Sequence, residues 1–130
     1  MKMAIPLLIV EDEALIMEFV STELREGGFE VVSAYDGNQA LAHLEADASK
    51  YRALISDVNL GPGPTGWQVA HRARELAPDI PVVYITAGNA DEWSANGVPK
   101  SVLLHKPFAA SQVLTAISTL LNNSSGSVTG

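Results

Sequence analysis

The residues best able to do chemistry stand directly after short apolar runs. Glu11-Asp12-Glu13 follows Leu7-Leu8-Ile9-Val10, and Asp57 follows Ala53-Leu54-Ile55-Ser56. Thr86 closes a run that begins at Val82, and His105-Lys106-Pro107 follows Val102-Leu103-Leu104. Each has an ordinary explanation when taken alone. The acids could cap a helix and complement its dipole, and Asp57 could be a turn former. Thr86 is a β-branched residue at the end of a strand, and Lys106 could be a solvated loop lysine. Together they mean more. Clustered carboxylates repel one another unless a cation neutralises them. An all-oxygen ligand set selects a hard ion, and few protein ligands with room for water suit Mg²⁺. An aspartate is already ionised at neutral pH, so it needs no general base to act as a nucleophile. A metal, an ammonium and a hydroxyl beside it are what transfer of a phosphoryl group requires.

The elements that must position these groups follow from periodicity. Five short apolar runs, at residues 7–10, 31–34, 53–56, 82–86 and 102–105, read as strands, several of them apolar throughout as doubly covered strands are. Between them apolar residues recur at helical spacing: Leu15/Phe19 and Ile16/Val20/Leu24, ended by Gly27-Gly28; Ala40/Leu41/Leu44; Val69/Ala70/Ala73/Leu76/Ala77, ended by Pro78; and Val113/Leu114/Ile117/Leu120/Leu121. The stretch 90–96 has one large apolar residue, Trp93, and its ends are crowded by Gly88, Asn89, Gly97 and Pro99, which predicts a short or mobile fourth helix. Alternating strands and helices imply an α/β domain, a doubly wound five-stranded parallel sheet with helices on both faces. Such sheets bind ligands outside the carboxyl ends of their strands, where the candidate residues fall. One domain over 1–121 and a disordered tail over 122–130 are expected.

Composition narrows the function classes. With 130 residues the chain suits one domain, and without cysteine it has no disulfide, thiolate metal site or cysteine nucleophile. A net charge of −7 argues against a nucleic-acid surface, which needs clustered Lys and Arg. The first apolar run is too short for a leader or a membrane span, so a cytoplasmic protein without membrane contact is expected.

The motifs LLIVEDE, LISDVNL, VVYITAG and LLHKPF, in this order and spacing, resemble the receiver domain of two-component response regulators, the CheY-like family. The resemblance covers residues 7 to about 121 and implies the strand order 2-1-3-4-5. By position, Glu11 and Asp12 resemble the acidic pair that organises Mg²⁺, Asp57 the phosphoacceptor, and Asn59 the residue whose backbone carbonyl completes the metal site. Thr86 resembles the hydroxyl that engages the phosphoryl group, Ala87 the small residue that leaves access, and Lys106 the lysine that pairs with the acceptor. A cis peptide before Pro107 is implied as well. The family often carries an aromatic at the position of Leu103, so the usual coupling of threonine to that aromatic is missing here. The loop 59–66 looks about one residue longer than the common form.

The resemblance implies a single-domain response regulator. It would accept a phosphoryl group on Asp57 from a sensor histidine kinase or phosphotransfer protein, without being an enzyme in the usual sense. Its output would be conformational change, protein contact or a phosphorylation-dependent homodimer. The alternatives are a pseudo-receiver binding module, which should have lost an acid, Thr86 or Lys106, and a phosphate sink without a dedicated output. A metal-dependent phosphohydrolase would carry an acid two residues after the nucleophile, where Asn59 stands. His43 and His71 read as exposed helix residues, His105 as pointing away from the site, and Trp67 and Trp93 as packing or interface residues.

Overall fold

The computed structural model describes residues 5–88 and 90–126. Five strands, β1 (Ile5–Val10), β2 (Phe29–Ala34), β3 (Ala53–Asp57), β4 (Val82–Thr86) and β5 (Ser101–His105), alternate with five helices. The helices are α1 (Ala14–Glu26), α2 (Gly37–Asp47), α3 (Gly66–Leu76), α4 (Ala90–Asn96) and α5 (Ala110–Gly126). The strands form one parallel sheet in the order β2-β1-β3-β4-β5, as the sequence implies.

Two apolar layers cover the sheet. Because side chains alternate along a strand, Leu8, Val10, Leu54, Val82 and Tyr84 face α2, α3 and Val98. Leu7, Ile9, Ala53, Ile55, Val83 and Ile85 face Met17, Val20 and Leu24 of α1 and Val113 and Ile117 of α5. Every residue of β3 and β4 is buried, which explains why these runs are apolar without alternation. Each fully buried Leu, Ile or Val contributes about 1.5–3 kcal/mol of transfer free energy.

Helix ends follow local chemistry. Gly28 adopts φ +97°, where only glycine is unstrained, and its N–H returns to the Arg25 carbonyl to close α1. Asp36 caps α2 by accepting from the Gln39 N–H, and Thr65 with Gln68 forms a capping box on α3.

Several boundaries depart from expectation. β1 begins at Ile5 and includes Pro6, whose carbonyl still accepts from the Arg52 N–H at 2.9 Å. α5 runs on to Gly126, so residues 122–126, expected as a disordered tail, are helical: once a helix is nucleated each added residue gains a bond, and no breaker precedes Gly126. Residues 127–130 of that expected tail lie outside the described residues. α4 is short, as expected, at seven residues.

Candidate functional site

The carboxyl ends of β1, β3, β4 and β5 meet in one cleft. Asp57, the last residue of β3, is 4% exposed and is the acceptor of two bonds. The Lys106 ammonium donates to its Oδ2 at 2.9 Å, and the Asn59 N–H donates to its Oδ1 at 3.3 Å. Lys106 is carried there by β5, whose register sets Thr86 beside His105, and the Lys106 N–H donates to the Thr86 carbonyl at 2.9 Å. The Lys106–Pro107 peptide is cis, as the sequence implies.

Glu11, the first residue past β1, is buried, whereas Asp12 and Glu13 are exposed. Oxygens of Glu11, Asp12 and Asp57 lie within 4.8 Å of one another. The helix-capping account of the acids does not hold, since Glu13 occupies the N-cap position of α1 without a side-chain cap bond and the first turn of α1 carries no acid. Instead Glu11 Oε2 accepts from the Glu13 N–H at 3.0 Å, while the buried Oε1 has no hydrogen-bond partner. A buried carboxylate oxygen without a donor is costly, and a cation held by Glu11, Asp12 and Asp57 would satisfy it. The donor set therefore fits a hard divalent ion.

Electrostatics agree with this geometry. Burial, with the charge of Asp57 and the adjoining Asp12 carboxyl as a hydrogen-bonding neighbour, pushes the Glu11 carboxyl up to about 7, against the opposing pull of the Glu13 N–H and Lys106. Burial also raises Asp57, while the bond from Lys106 opposes the rise. Burial alone would lower the Lys106 pKa, yet its bond to Asp57 and the charges of Glu11 and Glu13 leave it raised, so it stays an ammonium.

Thr86 is buried, and its Oγ1 accepts from the Gly88 N–H at 2.9 Å; Ala87 beside it is exposed. Leu103 is half-buried in β5, paired in register with Tyr84. The structure thus brings together Glu11, Asp12, Asp57, Asn59, Thr86 and Lys106, with Ala87 and Pro107 at the rim, and sets Leu103 one layer below. Two residues of the site were not foreseen in these roles. Glu13 Oε1 lies 3.4 Å from the Lys106 ammonium. Gly66 packs so closely under β3 that a Cβ there would stand 2.1 Å from the Asp57 carbonyl oxygen. A glycine opening a helix immediately after its Thr65 cap was the available signal for the second.

The sequence model of the response regulator receiver domain matches residues 7–118. The chain belongs to this family. Among solved structures, a response regulator receiver protein from Sinorhizobium medicae superposes with a TM-score of 0.87 at 39% identity, over 92% of this chain and 95% of that one. CheY4 of Vibrio cholerae superposes with a TM-score of 0.77 at 29% identity, over 91% of this chain and 99% of that one. The probable transcriptional regulatory protein TcrX of Mycobacterium tuberculosis is 32% identical over 119 residues, 90% of this chain but 50% of TcrX. This receiver domain spans about half the length of the curated relatives it matches. Receiver domains serve two-component signalling by accepting phosphoryl groups from histidine kinases or phosphotransfer proteins. Among the described residues, no helix of this receiver is long and apolar enough to cross a membrane.

Beside Lys106 a groove of about 390 Å³ is lined by Ile16, Phe19, Pro107 and Phe108, with the Phe19 and Phe108 rings 6.3 Å apart. Leu15, on the same helix, is 85% exposed. Exposed apolar patches of this kind occur at protein contacts, membrane contacts and ligand grooves.

Proposed function

We propose that Asp57 accepts a phosphoryl group from a phosphohistidine of a sensor kinase or phosphotransfer protein, with Mg²⁺ held by Glu11, Asp12, Asp57 and the Asn59 carbonyl. The observation that carries this reading is the buried Asp57 carboxylate bonded by Lys106 at 2.9 Å, with the unsatisfied Glu11 oxygen and Asp12 beside it. In the reaction a carboxylate oxygen of Asp57 forms the new bond to phosphorus, the N–P bond of the donor breaks, and the donor imidazole leaves with the electron pair and takes up a proton. Bound Mg²⁺ would offset charge on the phosphoryl oxygens. Lys106 supplies a second positive charge at the acceptor, and Thr86, once it turns from Gly88, supplies a hydroxyl. The exposed Ala87 leaves that approach open. The apolar groove formed by α1 and the Pro107–Phe108 turn is the face on which the donor protein docks.

The chain turns over no separate substrate in this reading: it takes up one phosphoryl group, loses it slowly to water and signals by changed protein contacts. Retention of both acids, Thr86 and Lys106 in one cleft is what a pseudo-receiver would lack. The test is incubation with Mg²⁺ and phosphoramidate followed by intact-mass measurement. The protein should gain one phosphoryl mass, and Asp57→Asn should gain none; uptake by Asp57→Asn, or none by the parent, refutes the reading.

A further inference from the structure

β4 holds the chain on both sides of α4 by two hydroxyls on one face. Thr86 accepts from the Gly88 N–H at 2.9 Å, before α4. Tyr84, two residues earlier and hence on the same face, accepts on its phenol oxygen from the Val98 N–H at 3.1 Å, after α4. Tyr84 is wholly buried, and its ring lies 4.6 Å from that of Trp67 on α3. Between these two anchors α4 buries none of its own residues, and only Trp93 is half-buried. The far end is held further: His71 Nε2 lies 2.8 Å from the Asn96 carbonyl oxygen, and Arg74 donates to the Pro99 carbonyl at 2.6 Å. The indole of Trp93 donates to Ser101 at 2.9 Å.

A helix with so little core of its own is placed by its end anchors. The anchor at Thr86 is the one that phosphorylation can release: rotation of its side chain toward a phosphoryl oxygen on Asp57 carries Oγ1 away from the Gly88 N–H. We propose that Tyr84 is a positioning residue, the pin that keeps the end of α4 docked on α3 when Thr86 lets go of its beginning. Phosphorylation then swings α4 about Val98 instead of unfolding it. This inference rests on the reading of Asp57 as the phosphoacceptor. It assigns the conformational role to an aromatic of β4, in a chain whose β5 offers Leu103 at the paired position.

Amide hydrogen exchange on the full chain tests it, with and without Mg²⁺ and beryllofluoride as the acyl-phosphate mimic. In the parent, the mimic should speed exchange across residues 88–93 at least about fivefold while Gly97 and Val98 change less than about twofold. In Tyr84→Phe, which keeps the ring against Trp67, the mimic should speed exchange at Gly97 and Val98 about tenfold or more. Equal protection of residues 96–101 in both proteins with the mimic bound overturns the proposal. So does deprotection of Val98 in the parent on the same scale as 88–93, a result that needs no variant. If the parent takes up neither the mimic nor a phosphoryl mass, the Asp57 reading falls and this inference with it. A parent that responds while Tyr84→Phe responds identically removes this inference alone.

Discussion

At the residue scale the site is a contest for one ammonium. Three carboxylates share Lys106, whose Nζ lies 2.9 Å from Asp57, 3.4 Å from Glu13 and 3.8 Å from Glu11, and Asp12 stands beside them as a fourth acid. Four negative charges against one positive leave a formal −3, which a divalent cation reduces to −1. Lys106 therefore stabilises the metal-free site, and it also approaches the acceptor from the side where a phosphoryl oxygen would sit. Removing one partner of a buried charged bond leaves the other desolvated, at a cost of about 1–3 kcal/mol. Lys106→Ala is expected to lower the urea-unfolding free energy of the metal-free protein by that amount. Because Asp57 and the acids remain, the variant should still gain a phosphoryl mass from phosphoramidate. Its exchange response across residues 88–93 should nevertheless be blunted, since the ammonium no longer draws the phosphoryl group toward β5. An undiminished response would remove Lys106 from the switch.

At the element scale the site depends on strand ends being held to within fractions of an ångström, and β3 is held from beneath. The Gly66 N–H donates to the Val58 carbonyl at 2.8 Å, and its missing side chain makes room for the Asp57 carbonyl. Gly66→Ala must push β3 or α3 aside, so a loss of about 1–3 kcal/mol of stability is expected. Phosphoryl uptake from phosphoramidate should slow, a combination read from urea unfolding and intact mass on one sample. Wild-type uptake with reduced stability would show that Gly66 serves packing alone. That close approach was not legible in the sequence, whereas the strands were: a run such as 82–86 is apolar throughout because both sheet faces are covered. β1 was read two residues short because Pro6 signals a boundary, yet its carbonyl still bonds. What periodicity could not reveal were the long-range ties. His71 looked like a solvent-facing helix histidine, but it meets Asn96 25 residues away. Tyr84 stands within an apolar run, whose spacing does not reveal that its hydroxyl holds Val98.

At the scale of the whole molecule the buried acids link folding to pH and to metal. Glu11 titrates near 7 in the folded protein against 4.5 when unperturbed, so between those values the folded state binds more protons than the unfolded. Its contribution is therefore fully present below about pH 4.5 and is lost as pH rises through about 7. Asp57, also raised by burial, acts in the same direction. The metal-free protein is expected to lose stability from pH 5 to pH 8, by on the order of 3 kcal/mol for a shift of this size. A bound cation reverses this, because it takes the place of the proton and requires the ionised carboxylates. Ligand binding to the folded state alone stabilises by RT ln(1 + [L]/Kd), about 1.4 kcal/mol at ten times Kd. Millimolar Mg²⁺ should thus raise Tm more at pH 8 than at pH 5.5, flattening the pH profile. Glu11→Gln serves as the control: it imitates the protonated acid, keeps most of its pH 5 stability at pH 8 and loses most of the Mg²⁺ effect. A metal-free Tm that is level from pH 5 to pH 8, in parent and variant alike, would mean that Glu11 is solvated and that its orphaned oxygen is not the driving force for metal binding.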